Sequence, residues 1–202
     1  MKTLRLLTIA AILVLAVHTS ASAYVMFSDN FNTENGGVGT LNYTGFANWD
    51  VSGGSVDLIG NKYFDFYPGN GLYVDLDGST GNAGILTTKT AFAFAPGTYQ
   101  LSFDLGGSAR TGSPSDTVYA KIALGTLLDK TFTLPYNSPL TTYTLTFSVA
   151  SLTSGNLSFE NVGSDNMGAI LDNVQLAAVP EPASMTLLGL GLLGLVGLKR
   201  RK

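Results

Sequence analysis

The chain has 202 residues, a formal net charge of −3, 45% hydrophobic and only 12% charged residues, no cysteine, and one histidine, His18. The absence of cysteine excludes disulfides and thiolate chemistry. With its one histidine inside an N-terminal apolar stretch, the body of the chain is also without His-based triads and histidine metal sites.

The N-terminus reads as an export address. Lys2 and Arg5 form a positive segment, residues 6–17 are an apolar core too short to span a bilayer, and Ala21-Ser22-Ala23 fits small-residue cleavage. The spacing predicts a signal peptide over 1–23 and a mature N-terminus at Tyr24; the alternative is a retained anchor.

Residues 24–178 predict one all-β domain. Tyr99, Leu101, Phe103 and Leu105 alternate with Gln100, Ser102 and Asp104, and Tyr143, Leu145, Phe147 and Val149 repeat the pattern. Residues 117–124 do so again through Val118, Ala120, Ile122 and Leu124. Leu157 with Phe159 and residues 169–177 mark two more strands. In the first half, strands are expected at 24–27, 49–51, 55–59, 72–76 and 84–88. Glycine-rich turns separate them, among them Gly53-Gly54, Asp77-Gly78, Pro96-Gly97 and Gly106-Gly107. About ten short strands with no helical periodicity argue a two-sheet antiparallel β-sandwich. Charged residues are scarce against a usual share of about a quarter, so Thr, Ser and Asn must cover the outer faces.

Without leader and tail, five Lys and Arg stand against thirteen Asp and Glu, a net charge near −8. Such a body repels nucleic acid and anionic membranes, and suits an exported protein that meets calcium.

Three segments carry a resemblance: residues 97–104 (GTYQLSFD), 157–160 (LSFE) and 169–176 (AILDNVQL). They resemble jelly rolls of the galactose-binding or carbohydrate-binding-module type, and residues 28–32 (SDNFN) resemble the N-terminal segment that lies beside the last strand in that group. By period two, Ile170, Asp172, Val174 and Leu176 share a face, which puts a carboxylate at apolar parity. A buried unpaired charge is costly, so Asp172 should meet a cation, several donors, or solvent at a bulge. The resemblance implies a structural calcium at Asp172, with Asn30, Asn32 and Glu34 as further ligands. Asn32 stands where an acid is more usual in the group. The alternative is an Asp172 that bonds to backbone and holds the chain end.

Asp75-Leu76-Asp77-Gly78 reads first as a strand ending in a turn. It lacks the acid that an EF-hand loop needs at its twelfth position, where Leu86 stands. The two carboxylates still face one side and are available to an ion or to sugar hydroxyls. Sugar binding needs an aromatic platform and planar polar groups. Trp49, the sole tryptophan, Asp104, and Arg110, the one arginine of the body, are the candidates; Tyr63, Phe64, Phe66 and Tyr67 form a second aromatic cluster. Trp49 reads first as core, beside Phe46 and Val51, and Arg110 reads equally as a loop ion pair. For catalysis, Glu34, Glu160 and the aspartates offer carboxylates, but no spacing singles out a pair.

The C-terminus is a second address. Pro180-Glu181-Pro182 is a rigid tripeptide that no helix runs through. Residues 183–198 are apolar or small, and Lys199, Arg200, Arg201 and Lys202 form a basic end on the cytoplasmic side of a bilayer. As a hydrophobic helix the apolar run reaches roughly 24 Å, short of the roughly 30 Å hydrocarbon core. Snorkelling of Lys199 and Arg200 would close the gap. This order over 179–202 resembles the PEP-CTERM sorting signal of Gram-negative bacteria. The resemblance implies transient residence in the inner membrane and recognition by an exosortase, then delivery to the cell surface or the extracellular matrix. The alternative is an uncut membrane anchor. The sequence therefore predicts an exported, non-enzymatic sandwich associated with exopolysaccharide. It leaves open a glycan-binding module, a structural matrix protein without sugar preference, or a polysaccharide-degrading enzyme.

Overall fold

The computed structural model describes residues 23–112, 115–122 and 125–180. Ala21, Glu181, Pro182, residues 183–198, where the sequence predicts a hydrophobic helix, and the basic residues Lys199, Arg200, Arg201 and Lys202 lie outside them; Ala23 is exposed ahead of the first strand and Pro180 follows the last. No helix among the described residues is long and apolar enough to cross a membrane.

The strands in chain order are β1 (Tyr24–Asp29), β2 (Trp49–Ser52), β3 (Asp57–Gly60), β4 (Leu72–Asp75), β5 (Ile85–Thr88) and β6 (Phe92–Phe94). There follow β7 (Gly97–Gly106), β8 (Asp116–Ile122), β9 (Leu128–Leu134) and β10 (Thr141–Val149). The last three are β11 (Thr153–Gly155), β12 (Leu157–Val162) and β13 (Ile170–Val179). One sheet runs β10-β7-β13-β4-β3 with β1 added against β13; the other runs β2-β5-β12-β8-β9, and β6 with β11 forms a short ribbon. These are the two sheets of an antiparallel sandwich, and the pairing of β1 with β13 is the neighbourhood expected for residues 28–32.

Alternation builds the core. Leu101, Phe103 and Leu105 of β7 meet Val118, Ala120 and Ile122 of β8 and Leu157 and Phe159 of β12 in one buried cluster. Phe103 lies edge-on to Phe159 at 5.0 Å between ring centroids, a favoured aromatic geometry. Contacts gather Val25–Ala178 into one unit around this cluster. A smaller apolar cluster lies on the outer face of the first sheet, where Ile59, Tyr73 and Ile170 are roofed by Leu41, Phe66, Tyr67 and Leu140.

Three strands are beyond the expected ten: β6, β9 and β11. In β9 the core-facing parity holds Leu128, Lys130, Phe132 and Leu134, and Lys130 interrupts the apolar pattern. As β9 is a sheet edge, that lysine also blunts pairing with another chain.

The expected parity of β13 is corrected. Leu171, Val174 and Leu176 enter the main core, whereas Ile170 joins the outer cluster. Asn173, at φ 49°, is a left-handed residue that shifts the alternation by one. Asp172 therefore shares the outer face with Ile170 and is not among the core side chains.

Candidate functional site: a polar groove across the second sheet

A groove of about 680 Å³ crosses the outer face of the second sheet. Four strands of the second sheet contribute to its lining, Ser52 from β2, Ile85 and Thr87 from β5, Ser158 and Glu160 from β12, and Lys121 from β8, and β11 adds Thr153, Ser154 and Gly155. Each alternates with a core residue, so the pattern that buries Leu86, Phe159 and Ala120 presents these side chains outward. Register places Ser52, Ile85, Glu160 and Tyr119 in one cross-strand row, with Thr87, Ser158 and Lys121 in the next. Lys121 Nζ donates to Glu160 Oε2 at 3.0 Å and lies 4.6 Å from the centre of the Tyr119 ring. Asn156 and Ser154 stand at one margin. Hydroxyls, an amide and a half-exposed ion pair on a rigid sheet can exchange hydrogen bonds with a polyhydroxylated ligand. Glu160 is the sole carboxylate among the described residues of the lining, where two-carboxylate glycoside hydrolysis needs a pair.

The expected sugar-binding residues do not converge here. Trp49 is wholly buried, edge-on to Phe27 at 5.4 Å, with its Nε1 donating to Asp29 Oδ2 at 2.9 Å. It is core and offers no platform. Asp104 lies on the outer face of the first sheet, accepting from Thr142 Oγ1 and from Asn173 Nδ2. Arg110 forms the expected loop ion pair: it donates to Asp75 Oδ2 and to the carbonyl of Asn166, with its guanidinium 4.8 Å from the Phe66 ring centre. It borders a smaller cleft of about 190 Å³ with Phe64, Phe66, Asp57 and Ser79.

The expected calcium ligands also separate. Glu34 accepts the Ala47 amide on both carboxylate oxygens, at 2.9 and 3.1 Å, and burial raises its pKa. Asn32 Oδ1 accepts the Leu72 amide at 2.8 Å, and Asn30 Oδ1 accepts the Asn32 amide at 3.2 Å. The acids that act on Asp172 are Asp104 and Asp29. Asp172 is fully buried; its Oδ1 accepts the Asn173 amide at 2.7 Å. Burial, opposed by that amide, pushes its pKa to about 7. Asp172 is thus acted on by the charges of Asp104 and Asp29, while Asn32 and Glu34 each accept a backbone amide elsewhere in the fold. No three acids among the described residues are already drawn together tightly enough to hold a metal by themselves.

A second acidic group gathers at one end of the sandwich. Asp57 Oδ1 accepts the Asn42 amide at 2.6 Å, and its Oδ2 accepts the Ser79 hydroxyl at 2.7 Å. Asp75 takes the amides of Asp77 and Gly168 on one oxygen and Arg110 on the other; burial still holds its pKa well above the usual range. Asp77 and Asp116 are buried as well, and desolvation raises both, Asp116 to about 7. The sequence signal for Asp75 and Asp77 was present; that for Asp116 and Asn161 was their place on the apolar parity of β8 and β12.

The fold is a two-sheet antiparallel β-sandwich similar to that of an adhesin domain. The K3 cleaved adhesin domain of Lys-gingipain from Porphyromonas gingivalis W83 matches with a TM-score of 0.51 at 15% identity, covering 77% of this chain and 99% of that one. TmCBM61, solved in complex with β-1,4-galactotriose, matches at 16% identity with a TM-score of 0.47, covering 79% and 100%. At such identities the likeness is one of fold. No curated protein matches the chain by sequence. Residues 178–202 carry the PEP-CTERM protein-sorting motif.

Proposed function

We propose that the chain is an exported, non-enzymatic glycan-binding protein that engages extracellular polysaccharide through the groove on the second sheet. The observation that carries this reading is the Lys121–Glu160 pair on the groove floor, flanked by Ser52, Thr87 and Ser158. A sugar chain laid across the strands meets donors and acceptors in successive rows, on a surface fixed by the core beneath. The single carboxylate in the lining supports binding over hydrolysis.

The sorting motif supports a route in which an exosortase acts at Pro180-Glu181-Pro182 after passage through the inner membrane. Release at the cell surface or into the matrix would place the groove among exopolysaccharide chains. Calcium enters the proposal at Asp172, where the nearby charges of Asp104 and Asp29 would favour a cation.

The test is gel electrophoresis of the protein through a panel of embedded neutral and acidic polysaccharides. Retardation of the wild type that is lost in Glu160→Ala and Lys121→Ala supports the groove. Loss in Phe64→Ala alone would move binding to the smaller cleft. No retardation by any polysaccharide would favour a structural matrix protein without sugar preference.

A further inference from the structure

We propose that Asp77, Asp116 and Asn161 form a calcium site that joins the two sheets at one end of the sandwich, separate from Asp172 and independent of the glycan reading. Asp77 follows β4 in the first sheet; Asp116 opens β8 and Asn161 lies on β12 in the second.

The first observation is direction. On β8, Asp116 has the parity of Val118, Ala120 and Ile122, and on β12, Asn161 has that of Leu157 and Phe159, all core residues. Both polar side chains are aimed between the sheets, where the next residues along each strand are apolar. Asp116 is 2% exposed, Asn161 4% and Asp77 0%.

The second observation is that their oxygens are unclaimed. Asp77 Oδ1, Asp116 Oδ2 and both amide atoms of Asn161 have no well-aligned hydrogen-bond partner among the described residues, although the Asn161 side chain faces Asp116 closely enough to favour its charged form. Native proteins satisfy nearly all buried polar atoms, and a buried carboxylate without donors is more costly than a neutral group. The neighbouring Asp57 and Asp75 show the contrast, since both of their oxygens are taken by amides, a hydroxyl or Arg110. Three unclaimed oxygens aimed at one region call for a positive guest.

A methyl group at Gly163 would stand 2.5 Å from Asp77 Oδ2 and 3.0 Å from Asn161 Nδ2, so this glycine lets the loop after β12 run close over Asp77 and Asn161. Half-exposed Asp165 in that loop offers its amide to Asp77 Oδ2 at 3.4 Å. Arg110, the nearby cation, is held by Asp75 and leaves its buried Nε unpartnered; its charge acts on Asp77 and Asp116 less than their burial and the neighbouring Asp165 do. Two buried carboxylates, an amide oxygen, backbone carbonyls and water are the oxygen donors that calcium takes in sets of six to eight. Since two acids alone do not complete a site, Asn161 and water are part of the set. Calcium here would tie β4 to β8 and β12, fastening the end of the sandwich.

The experiment is calorimetric titration of the full-length chain in mild detergent, stripped with EDTA, using calcium chloride alone. It compares wild type, Asp77→Asn/Asp116→Asn and Asp172→Asn, each checked for the β signal by circular dichroism. The wild type is expected to bind with Kd on the order of 10⁻⁴ to 10⁻³ M, the range of extracellular modules. The double variant should lose one calcium per chain while remaining folded, and Asp172→Asn should keep that calcium. As neutral amides relieve the charge, the double variant should melt higher than wild type in EDTA and gain less from calcium. Equal stoichiometry in wild type and the folded double variant would overturn the site, as would absence of calcium binding by the wild type. Should the double variant not fold, Asn161→Leu is titrated in its place, and undiminished binding there would equally overturn it.

Discussion

Lys121 and Glu160 face each other diagonally across β8 and β12, 3.0 Å apart, in the polar groove of the second sheet. Both are about one-third exposed, so the pair contributes little to stability, on the order of 0.2–1 kcal/mol. Its value lies in the placement of charge and hydrogen-bonding atoms on the floor of the groove. Glu160→Gln is therefore expected to leave the thermal midpoint within a degree or two and to weaken polysaccharide binding at least tenfold. A large drop in melting temperature would show that the pair serves the fold instead.

Trp49 behaves as structure. Its ring is enclosed by Phe27, Phe31 and Phe159, and its Nε1 ties β2 to Asp29 at the end of β1. Trp49→Ala should cost about 3–5 kcal/mol in chemical denaturation. Trp49→Phe, which keeps most of the volume, should bind polysaccharide as the wild type does. Weakened binding by a fully folded Trp49→Phe would return this residue to the site.

Arg110 neutralises an acid that cannot reach water. Asp75 is fully buried, so Arg110→Met strands a carboxylate and should destabilise the domain by about 3 kcal/mol at pH 8. The penalty should shrink towards pH 5, because burial already favours the protonated form of Asp75. A penalty independent of pH would mean that the loss comes from packing against Phe66.

The raised acids fix the direction of pH dependence. Burial lifts Asp116, faced by Asp165, Asn161, Asp77 and Arg110, and Asp172, faced by Asp104 and Asp29, to about 7 from 3.8. Between these values the folded protein binds more protons than the unfolded chain, so stability falls as pH rises. The contribution is complete below about pH 4 and is lost through pH 7. In EDTA the melting temperature should be higher at pH 5.5 than at pH 8; the reverse order would show that these carboxylates are ionised at little cost.

Much of the sandwich was legible because alternation is a direct consequence of the strand period: Leu101, Phe103 and Leu105 announced β7 unaided. β9 was hidden by Lys130 on its core-facing side, an edge-strand feature that periodicity penalises. The misplacement of Asp172 has a single cause, the left-handed Asn173, since one shifted residue reverses every parity before it. The groove was illegible for a different reason. Ser52, Thr87, Ser158 and Lys121 are ordinary outward residues on four separate strands, and only the register brings them together. Aromatic residues drew attention to Trp49, whereas the sheet uses it as filling.

The most direct measurement is a glycan array probed in calcium and again in EDTA with wild type and Glu160→Ala. The account predicts that the wild type binds a defined set of polysaccharide-derived glycans and that Glu160→Ala loses them while remaining folded. Equal binding by the two proteins, or silence from a folded wild type across the array, would contradict it.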